Sequence, residues 1–167
     1  MKLPVKIFFL ALIFGLIGCE KNVDNPAVDE YISQLKSNTY TSVELPAFTT
    51  SDIDALLKYR NETALIKNFP SNPLSSYHSQ DCKLGILVLW TIESIRAQEI
   101  KSDHLTGRFP SQNPILAFTD SAELKLVFDD NSHKEAAKAY YYWWHAIYIF
   151  TDKMKTNPLY ETDYKWH

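Results

Sequence analysis

From Leu84 to Ile92 the chain runs nine residues without a charge. No side of such a segment meets water at low cost, so it has to lie at the centre of the fold with other elements laid around it. A buried strand is one reading, since four to eight apolar residues suit a strand covered on both faces. A buried helix is the other. Helical spacing resumes at once in Glu93-Ser94-Ile95-Arg96, and no turn signal separates the two stretches, so a helix over 80–99 is expected. The run is too short to span a bilayer, which needs about 20 apolar residues.

Other helices follow from their start signals. Asn25-Pro26 reads as an N-cap with proline at the first helical position, and Val28, Tyr31, Ile32 and Leu35 then share a face up to Lys36. Ser51-Asp52-Ile53-Asp54 opens a second helix with acidic residues in its first turn. Ser132-His133-Lys134-Glu135 has the form of a capping box and predicts a helix over 132–155. Residues 38–50 and 69–80 read as loops, and Ala122 to Phe128 as a helical turn or an edge strand. The expected fold is therefore mainly α: a single compact helical domain of four to six helices over residues 26–167, with helix 132–155 packed on the central one. Phe69-Pro70-Ser71-Asn72-Pro73 recurs as Phe109-Pro110-Ser111-Gln112-Asn113-Pro114, forty residues later. Two copies do not make a repeat array, and they read as two loops anchored by an inward phenylalanine.

The first residues carry an address. Lys2 and Lys6 precede an uncharged apolar run, Ile7 to Ile17, which ends in Leu16-Ile17-Gly18-Cys19. This is the layout of a secretory signal, and its end resembles the bacterial lipobox. Residues 1–18 are then a lipoprotein signal peptide, Cys19 carries diacylglycerol and a further acyl chain such as palmitate, and 19–25 form a lipidated tether. Several acyl chains, each buried CH₂ worth about 0.8 kcal/mol, hold a protein at a membrane where one chain does not. Glu20 stands where an aspartate would suggest inner-membrane retention, so the expected location is the outer membrane, with the leaflet open.

Composition removes some functions. Loss of Lys2 and Lys6 with the signal takes the net charge from −3 to −5, and no basic stripe is present, so nucleic acid is not an expected partner. After residue 18 glycine occurs only at 85 and 107. Phosphate-cradling loops and dinucleotide fingerprints need several at fixed spacing, and no cofactor is expected. With Cys19 acylated, Cys82 is the single free thiol and no disulfide can form within the chain.

The middle of the chain resembles an uncharacterised Bacteroides lipoprotein family, a domain of unknown function. The resemblance rests on Leu45-Pro46-Ala47-Phe48-Thr49, Asp52-Ile53, Ala55-Leu56-Leu57, Tyr59, Phe69-Pro70, Asn72-Pro73-Leu74-Ser75-Ser76, Leu89-Trp90-Thr91-Ile92-Glu93-Ser94-Ile95-Arg96 and the segment Gly107 to Pro114. It implies a small envelope lipoprotein and supplies no reaction or ligand.

Three groups of residues could carry chemistry. Cys82 lies near an expected helix start, with Asp81 beside it and His78 four residues before. Asp81-Cys82 is similar to the start of peptidoglycan-cleaving cysteine peptidases, but Lys83-Leu84 stand where those enzymes have Ser-Gly. The structural alternative is an inert, buried cysteine. His78 and His133 read as solvated surface residues, and the possible metal set Asp81, Cys82, Asp103 and His104 lacks zinc-site spacing. Glu93 and Arg96, three apart beside Trp90, can pair. They read either as an ion pair that fixes packing or as the polar floor of an apolar pocket with Ser75 and Ser76. The third group is the aromatic run Tyr140 to Phe150. Ala136, Ala139, Trp143, Ile147, Phe150 and Met154 share a core stripe, while Tyr141, Trp144 and Tyr148 form a second that is either buried or an exposed patch.

The expected function is a non-enzymatic envelope lipoprotein that scaffolds or modulates a membrane-associated protein partner. The alternative is a glycan- or small-ligand-binding module using Tyr141, Trp144, Tyr148, Trp90, Glu93 and Arg96. A thiol hydrolase using Cys82 is the third reading.

Overall fold

The computed structural model describes residues 24–77, 79–147 and 150–167. The segment 1–18 expected to be a signal peptide, Cys19, His78 and Tyr148 lie outside the described residues. Helix α1 spans Pro26–Lys36. The Asn25 side chain accepts the Val28 N–H at 3.2 Å, and Val28, Tyr31, Ile32 and Leu35 form the buried face. Asn38, in the left-handed region at φ 56°, turns the chain away. A 3₁₀ turn, Thr50–Asp52, leads into the short helix α2, Ile53–Leu57. The Asp52 carboxylate accepts the Thr49 N–H at 2.7 Å and so closes the turn.

Strand β1, Leu65–Ile66, pairs antiparallel with β2, Cys82–Lys83, with Ile66 opposite Cys82. Helix α3, Leu84–Glu99, follows directly, so it starts four residues later than the sequence suggests. Thirteen of its sixteen residues are buried, which makes it the central element. Helix α4 spans Asp130–His145 and α5 spans Phe150–Lys155; both pack on α3, as does α2. The Tyr31 and Thr91 hydroxyls meet at 3.3 Å and tie α1 to the same helix. Gly85 lies where α3 passes under α4. A Cβ there would overlap both the His133 ring and the Arg60 carbonyl.

Strand β3, Leu116–Phe118, lies between β4, Leu126–Val127, and β5, Tyr164–Trp166, all antiparallel. Leu116 faces Val127 on one side and Trp166 on the other. With about 39% helix and 10% strand the fold is mixed α/β, and the expectation of a mainly α domain is corrected. The strands are two or three residues long, below the length at which alternation can be read. Of the segment 122–128 only Leu126–Val127 is strand, at the edge of this sheet, and the rest is irregular.

Two further corrections concern α4. Asp129, not Ser132, is the N-cap: its carboxylate accepts the Ser132 N–H at 2.9 Å. Ser132 and His133 therefore fall inside the first turn, and both are buried, so His133 is not the solvated residue expected. The single helix over 132–155 is broken after His145, where Ala146 adopts an extended conformation. The break rotates Ile147 off the stripe of Ala136, Trp143 and Met154 and leaves it fully exposed.

Candidate functional site

An open cleft of about 730 Å³ forms where the two Phe-Pro loops meet α3 and β5. Phe109 is buried and stacks on Trp90 with ring centroids 5.4 Å apart, while Phe69 packs against the core from its own loop. The anchored loops then bond to each other. Asn72 Nδ2 donates to the Ser111 carbonyl at 3.0 Å, and the Ser75 hydroxyl meets the Asn113 amide at 3.0 Å. Trp90 Nε1 donates to Ser111 Oγ at 2.8 Å. Asn72 and Leu74 line one side of the cleft, and Pro110, Ser111 and Gln112 another.

Glu93 forms the floor. Its carboxylate accepts Arg96 Nε at 3.1 and 3.0 Å and Nη2 at 2.6 Å. The Tyr140 hydroxyl donates to the same carboxylate at 2.7 Å, and Trp166 Nε1 donates to Tyr140 at 2.8 Å. Arg96 Nη1 donates onward to the Met154 carbonyl at 2.9 Å. Both charged side chains are nearly buried, 8% and 11% exposed, so the pairing is what makes their burial tolerable. Burial, and then the Glu93 charge, push the Tyr140 phenol well above its ordinary range and keep it a donor. Among the described residues every buried side-chain polar atom has a partner. Glu93 is thus both ion-paired and part of the cleft lining, while Ser75 and Ser76, expected beside it, do not line the cleft.

The other expected residues lie elsewhere. Trp90 is fully buried and serves as the anchor for Phe109 and Ser111. Tyr141 sits 4.3 Å under the Arg60 guanidinium and 4.2 Å from the His145 ring. Trp144 donates to Asp54 at 2.6 Å and carries Lys153 over its face at 4.8 Å. Both are half-buried, engaged within the molecule, and do not line the cleft.

A second cavity, about 100 Å³, contains Cys82 and His133. The thiol is buried, donates weakly to the Lys83 and Pro114 carbonyls, and is pushed up to about 12 by burial. His133 Nε2 bonds the Arg60 carbonyl at 2.8 Å, and burial pulls the imidazole below its usual range. A protonated thiol beside a committed ring is a poor start for nucleophilic chemistry. His104 lines the cleft and Cys82 this second cavity, so the suggested metal set does not converge. Among the described residues no three His, Cys, Asp or Glu side chains are placed to hold a metal ion.

One known family matches this chain. The domain of unknown function DUF4943 covers residues 22–167, which is nearly all of it. The chain belongs to the DUF4943 family. No curated protein and no solved structure matches it.

Sequence reading missed most of the DUF4943 cleft. Tyr140 was hidden in an aromatic run, and Lys165 and Trp166 lie in a strand of three residues. The usable signal was the Phe-Pro echo, whose two copies supply Asn72 and Pro110 to Gln112, with Leu74 directly after the first copy.

Proposed function

We propose that this DUF4943 chain is a non-enzymatic lipoprotein of the bacterial envelope, of the Bacteroides type, whose domain binds a small ligand in the Glu93–Trp166 cleft. The carrying observation is an open cavity of about 730 Å³ over a floor with its polar atoms already bonded. That volume lies in the range of small-molecule sites, about 300–1,000 Å³. A fully bonded floor keeps its shape before a ligand arrives, which reduces the ordering cost of binding. The buried, protonated Cys82 supports a binding role over hydrolysis.

The lipobox Leu16–Cys19 supports attachment through acyl chains on Cys19 at the outer membrane. Among the described residues no helix is long and apolar enough to cross a membrane. Scaffolding of a membrane-associated protein partner is the second reading. It is favoured by Tyr142 and Tyr160, 61% and 81% exposed beside a groove of about 240 Å³. Exposed aromatics of this kind suit a protein surface.

Native mass spectrometry of the full chain, purified from envelopes in detergent, tests the main reading. A small molecule should accompany the wild type and be lost from Gln112→Trp, which fills the cleft. Identical spectra contradict it. Intact mass should show acylation at Cys19, and Cys19→Ser should release the protein from membranes. If crosslinked partners instead vanish on Tyr142→Ser with Tyr160→Ser, the second reading gains.

A further inference from the structure

We infer that the cleft takes an anion: a small molecule bearing a carboxylate or phosphate group on a flat or apolar body. The inference rests on the cleft being the binding site. It comes from a local inversion of charge. The chain carries a net charge of −3, yet the titratable side chains around the cleft are His104, Lys165, His167 and one acid, Glu93. Glu93 is already neutralised by Arg96 at 2.6 Å and further bonded by Tyr140. Asp103 and Glu123 adjoin lining residues in sequence but do not line the cleft.

Lys165 is held in place through its backbone, opposite Ala117 in the sheet. Its side chain is exposed and forms no ion pair among the described residues. An entering molecule therefore meets one ammonium without an ion pair among the described residues, the His104 ring and the Gln112 amide, while the His167 ring Nδ1 is bonded to Asn113 and the Trp166 N–H to Tyr140. A carboxylate or phosphate, an acceptor without donors, matches that set, whereas among the lining side chains of the described residues a cation finds no carboxylate that is not already paired. The body of the ligand follows from the rest of the lining. Trp166 offers an indole, and Leu74 and Leu124 are 71% and 63% exposed at the cleft. A flat or apolar body would cover them.

The test varies charge while holding the body constant. One series is benzoate, benzamide and benzylamine. The other is D-glucuronate, D-glucose and D-glucosamine, with D-glucose 6-phosphate added to separate a phosphate preference from a carboxylate one. Each is titrated against the full chain in detergent micelles by saturation-transfer NMR. An anion should lead each series, by about fivefold over the neutral member, as expected for one partly exposed charge pair. Lys165→Glu should abolish the lead and Lys165→Arg should keep it. A neutral or cationic leader, a lead that survives Lys165→Glu, or no binding by any probe overturns the inference. Gln112→Trp separates the two claims. If it blocks probes whose charge order is wrong, the cleft stands and the anion does not. If probes still bind to it unchanged, the cleft reading itself fails.

Discussion

The cleft floor and the Cys82–His133 cavity both bury groups able to carry charge, and they treat them in opposite ways. Under the cleft, Glu93 and Arg96 keep their charges because each supplies the other with a partner, and Tyr140 and Trp166 extend the bonding to the cleft wall. Around Cys82 the solution is neutrality: a protonated thiol and an imidazole held below its usual range. A paired charge network demands fixed geometry, whereas neutral groups can simply be packed. Under the proposed function, the first is a surface shaped for an outside molecule and the second a space left between elements.

The largest expected effect comes from breaking the charged side of this comparison. Glu93→Ala strands the Arg96 guanidinium and the Tyr140 hydroxyl and should cost about 3–5 kcal/mol in urea denaturation. Replacing both partners, Glu93→Leu with Arg96→Met, should recover most of that loss, because an apolar pair of similar size is often neutral. A double variant as unstable as the single would mean the two do not act as a unit. On the neutral side, Gly85→Ala forces a methyl into the His133 ring and Arg60 carbonyl, with an expected cost of about 1–3 kcal/mol in thermal melts. Tyr140→Phe removes one donor from Glu93 and the acceptor of Trp166, for about 1–2 kcal/mol.

The smallest effect is a slope with pH. Burial lowers the His133 pKa from its ordinary 6.5, so the unfolded chain binds a proton more readily than the folded one. The stability this residue contributes is complete above pH 6.5 and declines as pH falls below it. The lowered carboxyls of Asp129 and Asp130, ordinarily 3.8, add their own loss only in more acidic solution. Denaturation between pH 6.5 and 4.5 should therefore be flatter in His133→Gln than in the wild type.

Much of the helical frame was legible because its signals are local. The Asn25-Pro26 cap, the uncharged run 84–92 and the i, i+3 spacing of Glu93 and Arg96 each act within a few residues. What was not legible depends on partners far along the chain. Strands β3, β4 and β5 are too short to show a period and exist because residues 116, 127 and 166 meet. His133 reads as polar surface until Gly85 clears room for it 48 positions away. The aromatic run continues its helical spacing through Ile147, so nothing in it announces the break at Ala146. The cleft follows the same rule. Glu93 could be read from α3, but the loops that stand over it are joined by Asn72 and Ser111, 39 residues apart.

The most direct test follows the indole N–H signals of the four tryptophans by ¹⁵N NMR as D-glucuronate is added to the full chain. Trp166 lines the cleft and bonds the Tyr140 end of its floor, whereas Trp143 and Trp144 face other groups. The Trp166 signal should move and saturate with the affinity measured for the ligand, with Trp143 and Trp144 nearly still. A Trp166 signal that stays in place while the probe saturates the protein would contradict the account.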